Sequence, residues 1–368
     1  MMLPGSRWQG WLAGLLLVST GAVAQGDLLS PADEAPEANQ PWSYFGDLLL
    51  RLDYVDGLPA GRDPLERLRG RLRLGTAYAP MPELQFGAAI ELGQGSDANR
   101  DNRSNNDNER SDGGNLDQLW LRWQAGENTS VLLGKAPFPY ELSPLVWDQD
   151  LRPAGASVDH SFALGDFSRL QLTVGGFAAQ HLYDDDTRIA AVQAAWRWRE
   201  GAPTNGAVIL SYLDFSHLEQ LTRQGLARTN RRIPAGGPLA SDYELLDLQL
   251  VGRTTLRNWP LEARLDLVHN LGADDDANGA RFSVVLGDRF ERGGWEFGYA
   301  IQRSQRDAVM AAFSEDDWWF HSFAHGVMPW VGYGIAPHWS VRLAAFHEQR
   351  DGLREHTDRA ALDVEARW

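Results

Sequence analysis

The chain has 368 residues, 50 Asp and Glu against 34 Lys and Arg for a formal net charge of −16, and no cysteine. The acidic balance argues against a binder of nucleic-acid phosphates, which needs a net basic surface, and the lack of thiols excludes a disulfide framework and thiolate metal sites. Beyond the N-terminus no run of 18 apolar residues occurs, which excludes a helical membrane protein.

The N-terminus carries Arg7, then the apolar run WLAGLLLVSTGAVA, ending in Ala22, Val23 and Ala24 before Gln25. One positive charge, a short apolar core and small residues before a cut describe a secretory signal over 1–24. A buried N-terminal helix is the competing reading. Residues 25–41, rich in Pro, Ala and Glu, are expected to form a periplasmic lead-in, and 42–368 a single domain.

From Trp42 the pattern alternates: Tyr44, Gly46, Leu48, Leu50, Leu52 and Tyr54 on one face, Asp47, Arg51 and Asp53 on the other. Residues 67–78, RLRGRLRLGTAY, then place Arg67, Arg69, Arg71 and Arg73 on one side of a strand and Leu68, Gly70, Leu72, Leu74, Thr76 and Tyr78 on the other. As a helix the same residues leave no apolar stripe. An Arg held against lipid at mid-membrane costs about 2–4 kcal/mol, so four would cost ~8–16 kcal/mol, rivalling the whole stability of many domains. The guanidiniums are therefore expected to line a wet lumen. Their counter-charges are Asp47, Asp53, Glu83 and Glu91, and bracing of the wall by these pairs is the alternative to a role in permeation.

The same alternation recurs at 83–93, 116–124, 168–179, 188–198, 205–214, 243–254, 260–270, 279–287, 294–303, 338–348 and 357–368, and more weakly at 129–136, 154–164 and 326–336. This predicts about 16 strands. Short links alternate with long polar ones near 55–65, 94–114, 137–153, 180–187, 215–242, 271–278, 304–316 and 349–356. Short turns at one rim and long loops at the other describe an up-and-down barrel whose ends face different compartments. Trp42, Tyr78, Trp123, Trp196, Trp198, Trp295, Trp339 and Trp368 all fall at the short-turn ends, where an aromatic girdle meets the membrane boundary. Trp120, Trp147, Trp318 and Trp319 depart from that placement.

Residues 131–157, VLLGKAPFPYELSPLVWDQDLRPAGAS, combine a strand, Gly-Lys, Pro-Phe, Val-Trp-Asp-Gln-Asp-Leu and a Gly-Ala return, and follow NLDQLWLRW at 115–123. The stretch resembles a porin family of Gram-negative outer-membrane β-barrels, and the likeness of layout extends over most of 42–368. The resemblance implies a diffusion channel with a constriction loop after strand 5. It brings no catalytic residues, and the related general porins imply a homotrimer. The loop's own residues agree with an inward fold. Pro137, Pro139, Pro144 and Pro153 stiffen it, and Leu142, Leu145, Val146 and Trp147 are too apolar for a solvated loop. Glu141, Asp148 and Asp150 would then face the arginines across the opening and set up a transverse field. A loop folded outward as a cap is the alternative.

Other features carry less. Residues 94–114 are Asn/Asp-rich and read as an external loop. Asp184–Asp186 and Asp274–Asp276 are candidate Ca²⁺ or Mg²⁺ sites bridging lipopolysaccharide, or plain solvated tips. His321 and His325 have an i, i+4 spacing without a third ligand. Asp159, His160 and Ser161 are adjacent, so in a strand they point to opposite faces and do not form a triad. Residues 215–242 have room for a short helix.

The expectation is thus an all-β protein: a single transmembrane antiparallel up-and-down β-barrel of about 16 strands in the outer membrane of a Gram-negative bacterium. It would pass small hydrophilic solutes by passive diffusion, with no enzymatic turnover, cofactor or metal. Its partners would be outer-membrane lipid, lipopolysaccharide, and the barrel-assembly machinery through the C-terminal strand ending at Trp368. Two other classes remain open: a substrate-specific exporter of an anionic polysaccharide, and a barrel enzyme.

Overall fold

A computed structural model describes residues 41–95, 112–179, 186–223 and 226–368. The signal segment, nearly all of the lead-in, most of the 94–114 loop, and Asp184 and Asp185 lie outside them. Sixteen strands follow one another in chain order: β1 (Trp42–Asp56), β2 (Leu65–Met81), β3 (Leu84–Gly95), β4 (Asp112–Gly126), β5 (Thr129–Lys135), β6 (Ala154–Ala163), β7 (Ser168–Ala178), β8 (Arg188–Trp198), β9 (Asn205–Ser216), β10 (Tyr243–Leu256), β11 (Trp259–Asn270), β12 (Asn278–Gly287), β13 (Trp295–Ser304), β14 (Ala324–Ala336), β15 (Trp339–Arg350) and β16 (Thr357–Arg367). Among the described residues, one short α-helix, α1 (Glu219–Arg223), lies in the connection before β10, and a single 3-10 turn spans Pro59–Gly61.

Each strand pairs antiparallel with its sequence neighbours, and β1 pairs with β16 to close the barrel. The seam runs from Asp47↔Arg367 to Asp56↔Asp358, and Gly46 and Trp368 exchange backbone hydrogen bonds of 2.9 and 3.1 Å at its end. Closure leaves no unpaired strand edge, which is what lets a sheet sit in a medium that offers no hydrogen bonds.

The period-two pattern sorts directly onto the two faces. On β2, Arg67, Arg69 and Arg73 are 2%, 5% and 3% exposed while Leu68 and Leu74 are 56% and 42% exposed. On β1, Arg51 and Asp53 are buried while Leu50 and Leu52 are exposed. The apolar face therefore points outward and the charged face inward, opposite to a soluble protein's arrangement.

The connections also segregate. Residues 82–83, 127–128, 164–167, 199–204, 257–258, 288–294 and 337–338 join strands at one rim. Residues 57–64, 96–111, 136–153, 179–187, 217–242, 271–277, 305–323 and 351–356 join them at the other. Near the short-turn rim the outer face carries Trp42 against Tyr78 (4.6 Å between ring centroids), Trp196 against Trp198 (5.2 Å) and Trp295 against Tyr333 (4.8 Å). Trp123, Trp339 and Trp368 are exposed at the same rim, joined by Trp259 and Phe297. Trp120 breaks the pattern because it points inward. Its ring lies on Gly87, where a Cβ would come within 2.2 Å, and its Nε1 donates to Gln118 Oε1 (3.0 Å).

The interior is not evenly filled. Segments 136–153, 217–242 and 305–323 fold inward and pack as an apolar cluster against inner-wall residues of β7 to β11, among them Phe177, Ile189, Leu213, Tyr243, Leu245 and Val268. The opposite wall, from β12 around through β1 and β2, carries most of the interior arginines and their carboxylates.

Candidate functional site: a charged gap between two infolded loops

Loop 136–153 is fastened by its polar groups as much as by its apolar ones. Tyr140 donates its hydroxyl to Ala191 O (2.9 Å). The Glu141 carbonyl accepts from Gln193 Nε2 and Gln249 Nε2, both at 2.8 Å, and Ser143 N donates to Asp247 Oδ2 (3.3 Å). The Glu141 carboxylate is held by Arg197 on β8 (2.8 Å) and Arg264 on β11 (2.9 Å). Burial works to raise this carboxyl, but Arg264, Arg197 and Arg253 outweigh it and keep it below the ordinary range. Trp147 is sandwiched between Phe138 (4.2 Å) and Phe313 (5.7 Å), so its apolar bulk joins this loop to segment 305–323. Two backbone hydrogen bonds complete that junction: Asp148 N to Phe313 O (2.7 Å) and Glu315 N to Pro144 O (3.0 Å).

The far end of the loop reaches the arginine ladder. Asp150 accepts from Arg73 Nη2 (2.9 Å) and also from Arg71 Nη1, and its own N–H donates to Asp148 Oδ1 (2.8 Å). Burial works to raise the Asp150 carboxyl; Arg71, Arg73 and Arg152 win and hold it well below the carboxylate range. The rest of the ladder is matched along the wall. Arg67 and Arg69 bind Asp53 (2.8 and 3.3 Å), Arg71 binds Asp47 (3.3 Å), and Arg73 binds Glu91 (2.9 Å).

Segment 305–323 makes a parallel set of contacts. Asp317 takes Arg51 of β1 (2.5 Å) and Arg342 of β15 (3.3 Å), and the same two arginines share Asp363 of β16 at 2.7 Å each. Arg51, Arg342 and Arg359 hold the Asp317 carboxyl well below its usual range against the effect of burial. Glu348 of β15 accepts from the N–H groups of Trp319 (2.9 Å) and Phe320 (3.1 Å). Glu315 is different: burial raises its carboxyl well above normal, and Asp148, Asp317, Asp316 and Asp150 push it the same way.

Between the two loops and the charged wall lies a cavity of about 130 Å³. It is bordered by Asp47, Arg51 and Arg71 on one side, Asp148 to Asp150 and Glu315 to Trp318 from the loops, and Arg281, Arg289, Arg342, Glu365 and Arg367 elsewhere on the wall.

Several expected placements change. Glu83 falls in the exposed turn between β2 and β3 rather than on the inner wall, because β3 begins one residue later at Leu84. The three loop acids do not stand across water from the arginine ladder. Asp150 touches Arg71 and Arg73 directly, Glu141 binds arginines of β8 and β11, and Asp148 gathers with Glu315 and Asp316, one carboxylate oxygen of each lying within 4.8 Å of the others. Arg231 neutralises Asp275 (2.6 Å) and Asp276 (2.7 Å). His321 lies in a loop against Arg228, while His325 is an exposed strand residue beside Asp351 (3.3 Å), so the two histidines share no site. Asp159 accepts from Gln171 and Thr173, and His160 contacts Thr129, so those residues do not assemble a triad.

Sequence reasoning missed Asp317, Glu315, Arg281, Arg289 and Arg342. A signal was available. Residues 308–313, AVMAAF, followed by SEDDWWF, are as apolar as the 142–147 stretch that predicts an inward fold.

No family model and no curated protein matches the chain. Solved structures do. Pseudomonas putida OprB in its high-pH structure superposes with a TM-score of 0.61 at 12% identity, covering 89% of this chain and 94% of that one. A loop L8 deletion mutant of OmpT, an outer membrane protein of Vibrio cholerae, gives 0.52 at 11% identity, covering 89% and 99%. Salmonella typhi OmpF in complex with daunomycin gives 0.52 at 10% identity, covering 89% and 97%. The chain thus has the porin-like fold of these outer-membrane barrels.

Proposed function

We propose that this protein is an outer-membrane porin: after export through the signal segment 1–24, it forms a water-filled channel through which small hydrophilic solutes diffuse passively. One observation carries the reading. A closed barrel with an apolar outer face encloses a charged cavity, narrowed by loop 136–153 and segment 305–323. The fold shared with porins supports it. Export of an anionic polysaccharide fits less well, because carboxylates within 3.3 Å already meet each of Arg67, Arg69, Arg71 and Arg73. A compensated ladder presents dipoles rather than a bare cationic track.

Planar-bilayer conductance tests the reading. The wild type is expected to form ion-conducting channels, and changing Arg67, Arg69, Arg71 and Arg73 to Ser shifts ion selectivity toward cations, since Asp47, Asp53 and Asp150 lose their partners. Absence of channels overturns the function. Channels with unchanged conductance and selectivity remove the ladder from the path.

A further inference from the structure

We propose that the cavity between the two infolded loops is a binding subsite for a small zwitterion, a solute of the α-amino-acid class carrying an ammonium and a carboxylate a few bonds apart. The inference rests on the channel reading and narrows its substrate.

The cavity's charges fall into matched and unmatched sets. Arg71 is met by Asp47 and Asp150; Arg51 and Arg342 by Asp317 and Asp363; Arg289 by Glu296 and Glu365; Arg367 by Glu365. Arg281 stands apart. It is 5% exposed, borders the cavity from β12, donates to Gln302 Oε1 (3.1 Å), and forms no ion pair among the described residues. Asp266 lies opposite it in the β11–β12 register yet forms no ion pair with it, so Asp266 does not neutralise Arg281 by contact.

On the loop side, Glu315 borders the same cavity and likewise forms no ion pair among the described residues. Burial and the neighbouring Asp148, Asp317 and Asp316 favour its protonated form, and an arriving ammonium offsets that repulsion and stabilises the carboxylate. It brings Asp148 and Asp316 with it, all three within 4.8 Å. An anion receptor and a cation receptor thus share one cavity without meeting each other.

A buried guanidinium held apart from a carboxylate has its desolvation uncompensated. A solute bearing both charges satisfies both ends at once through charge-assisted hydrogen bonds. An anion of the same size serves Arg281 alone, a cation serves the acids alone, and a neutral solute serves neither. The neighbouring pairs are already closed by the wall, so they contribute orientation rather than further ionic contacts.

The test uses four near-isosteric probes: alanine, lactate, alaninamide and lactamide, as zwitterion, anion, cation and neutral solute. Influx into liposomes containing the full barrel is measured at low solute concentration and neutral pH, with KCl conductance recorded on the same preparation. Alanine is expected to enter about tenfold faster than each of the other three, the effect of roughly one charge-assisted hydrogen bond, and to saturate. Arg281→Gln brings alanine down to the alaninamide rate. Glu315→Gln brings it toward the lactate rate. Arg281→Lys, which keeps the charge, retains most of the preference and separates loss of charge from loss of fold. Normal KCl conductance with all four probes entering within about twofold of one another overturns the subsite and leaves the channel standing. No conductance overturns the channel reading and the subsite with it.

Discussion

Glu315 and its neighbours respond to pH in opposite senses. Glu141, Asp150 and Asp317 have carboxyls lowered in the folded protein by their arginines. Their contribution to loop attachment is present above the unfolded carboxylate range of about 4 and is lost as pH falls through the depressed values. Glu315 is raised by burial and by four nearby acids, so its folded form prefers the proton. Its contribution is present below its unfolded value and is lost as pH rises through the raised one. Segment 305–323 should therefore loosen as Glu315 ionises, and Glu315→Gln should remove that alkaline limb while leaving the acid limb intact. Amide hydrogen exchange of residues 308–320 against pH reads both limbs. An identical alkaline response in the variant refutes the assignment. The inward arginines of β2 were readable at this scale because a two-residue period admits one sorting of faces. The partner of each charge was not. Asp317 lies 266 positions from Arg51 in sequence, and only closure of the barrel brings them together.

At the scale of the element, loop 136–153 is held by a stack of rings as well as by ion pairs. Removing the Trp147 ring leaves a void between Phe138 and Phe313, costs about 3–5 kcal/mol of loop attachment, and uncouples the two infolded segments. Trp147→Ala is expected to raise single-channel conductance and its noise without changing the barrel's far-ultraviolet circular dichroism. Conductance equal to wild type would show that the ring does not set the aperture. The inward fold of this loop was readable from Leu142, Leu145, Val146 and Trp147. Segment 305–323 obeys the same logic, but its apolar residues, 308–313, sit immediately before an acidic run that masks them in the sequence. The room for a short helix in 215–242 is filled by α1, with Leu221 buried in the common cluster.

For the whole molecule, the order of the strands and a count of about 16 follow from alternation together with the short and long links, since outward positions at membrane depth must be apolar. The aromatic rim was visible for the same reason. Its continuation through Trp259, Phe297 and Tyr333 was not, because their neighbours become evident only once β11 to β14 are laid in order. The orientation of the faces has a direct check. Leu52 is 53% exposed on the outer face of β1, so Leu52→Arg places a guanidinium against acyl chains at a cost of about 2–4 kcal/mol near mid-membrane. Urea titration of folding into lipid bilayers should show a loss of that order, and a neutral result would mean the outer face is not lipid-facing.

The lopsided filling of the barrel has one last consequence. Since β7 to β11 are papered over by folded-in chain, a molecule crossing the proposed channel would brush only the remaining arc of its circumference. Selection for what passes and selection for what folds then act on different longitudes of the same cylinder. On the channel reading proposed above, Ile189 and Leu213 are free to drift among apolar shapes with no change in cargo, while Arg281 and Arg342 answer to the traveller.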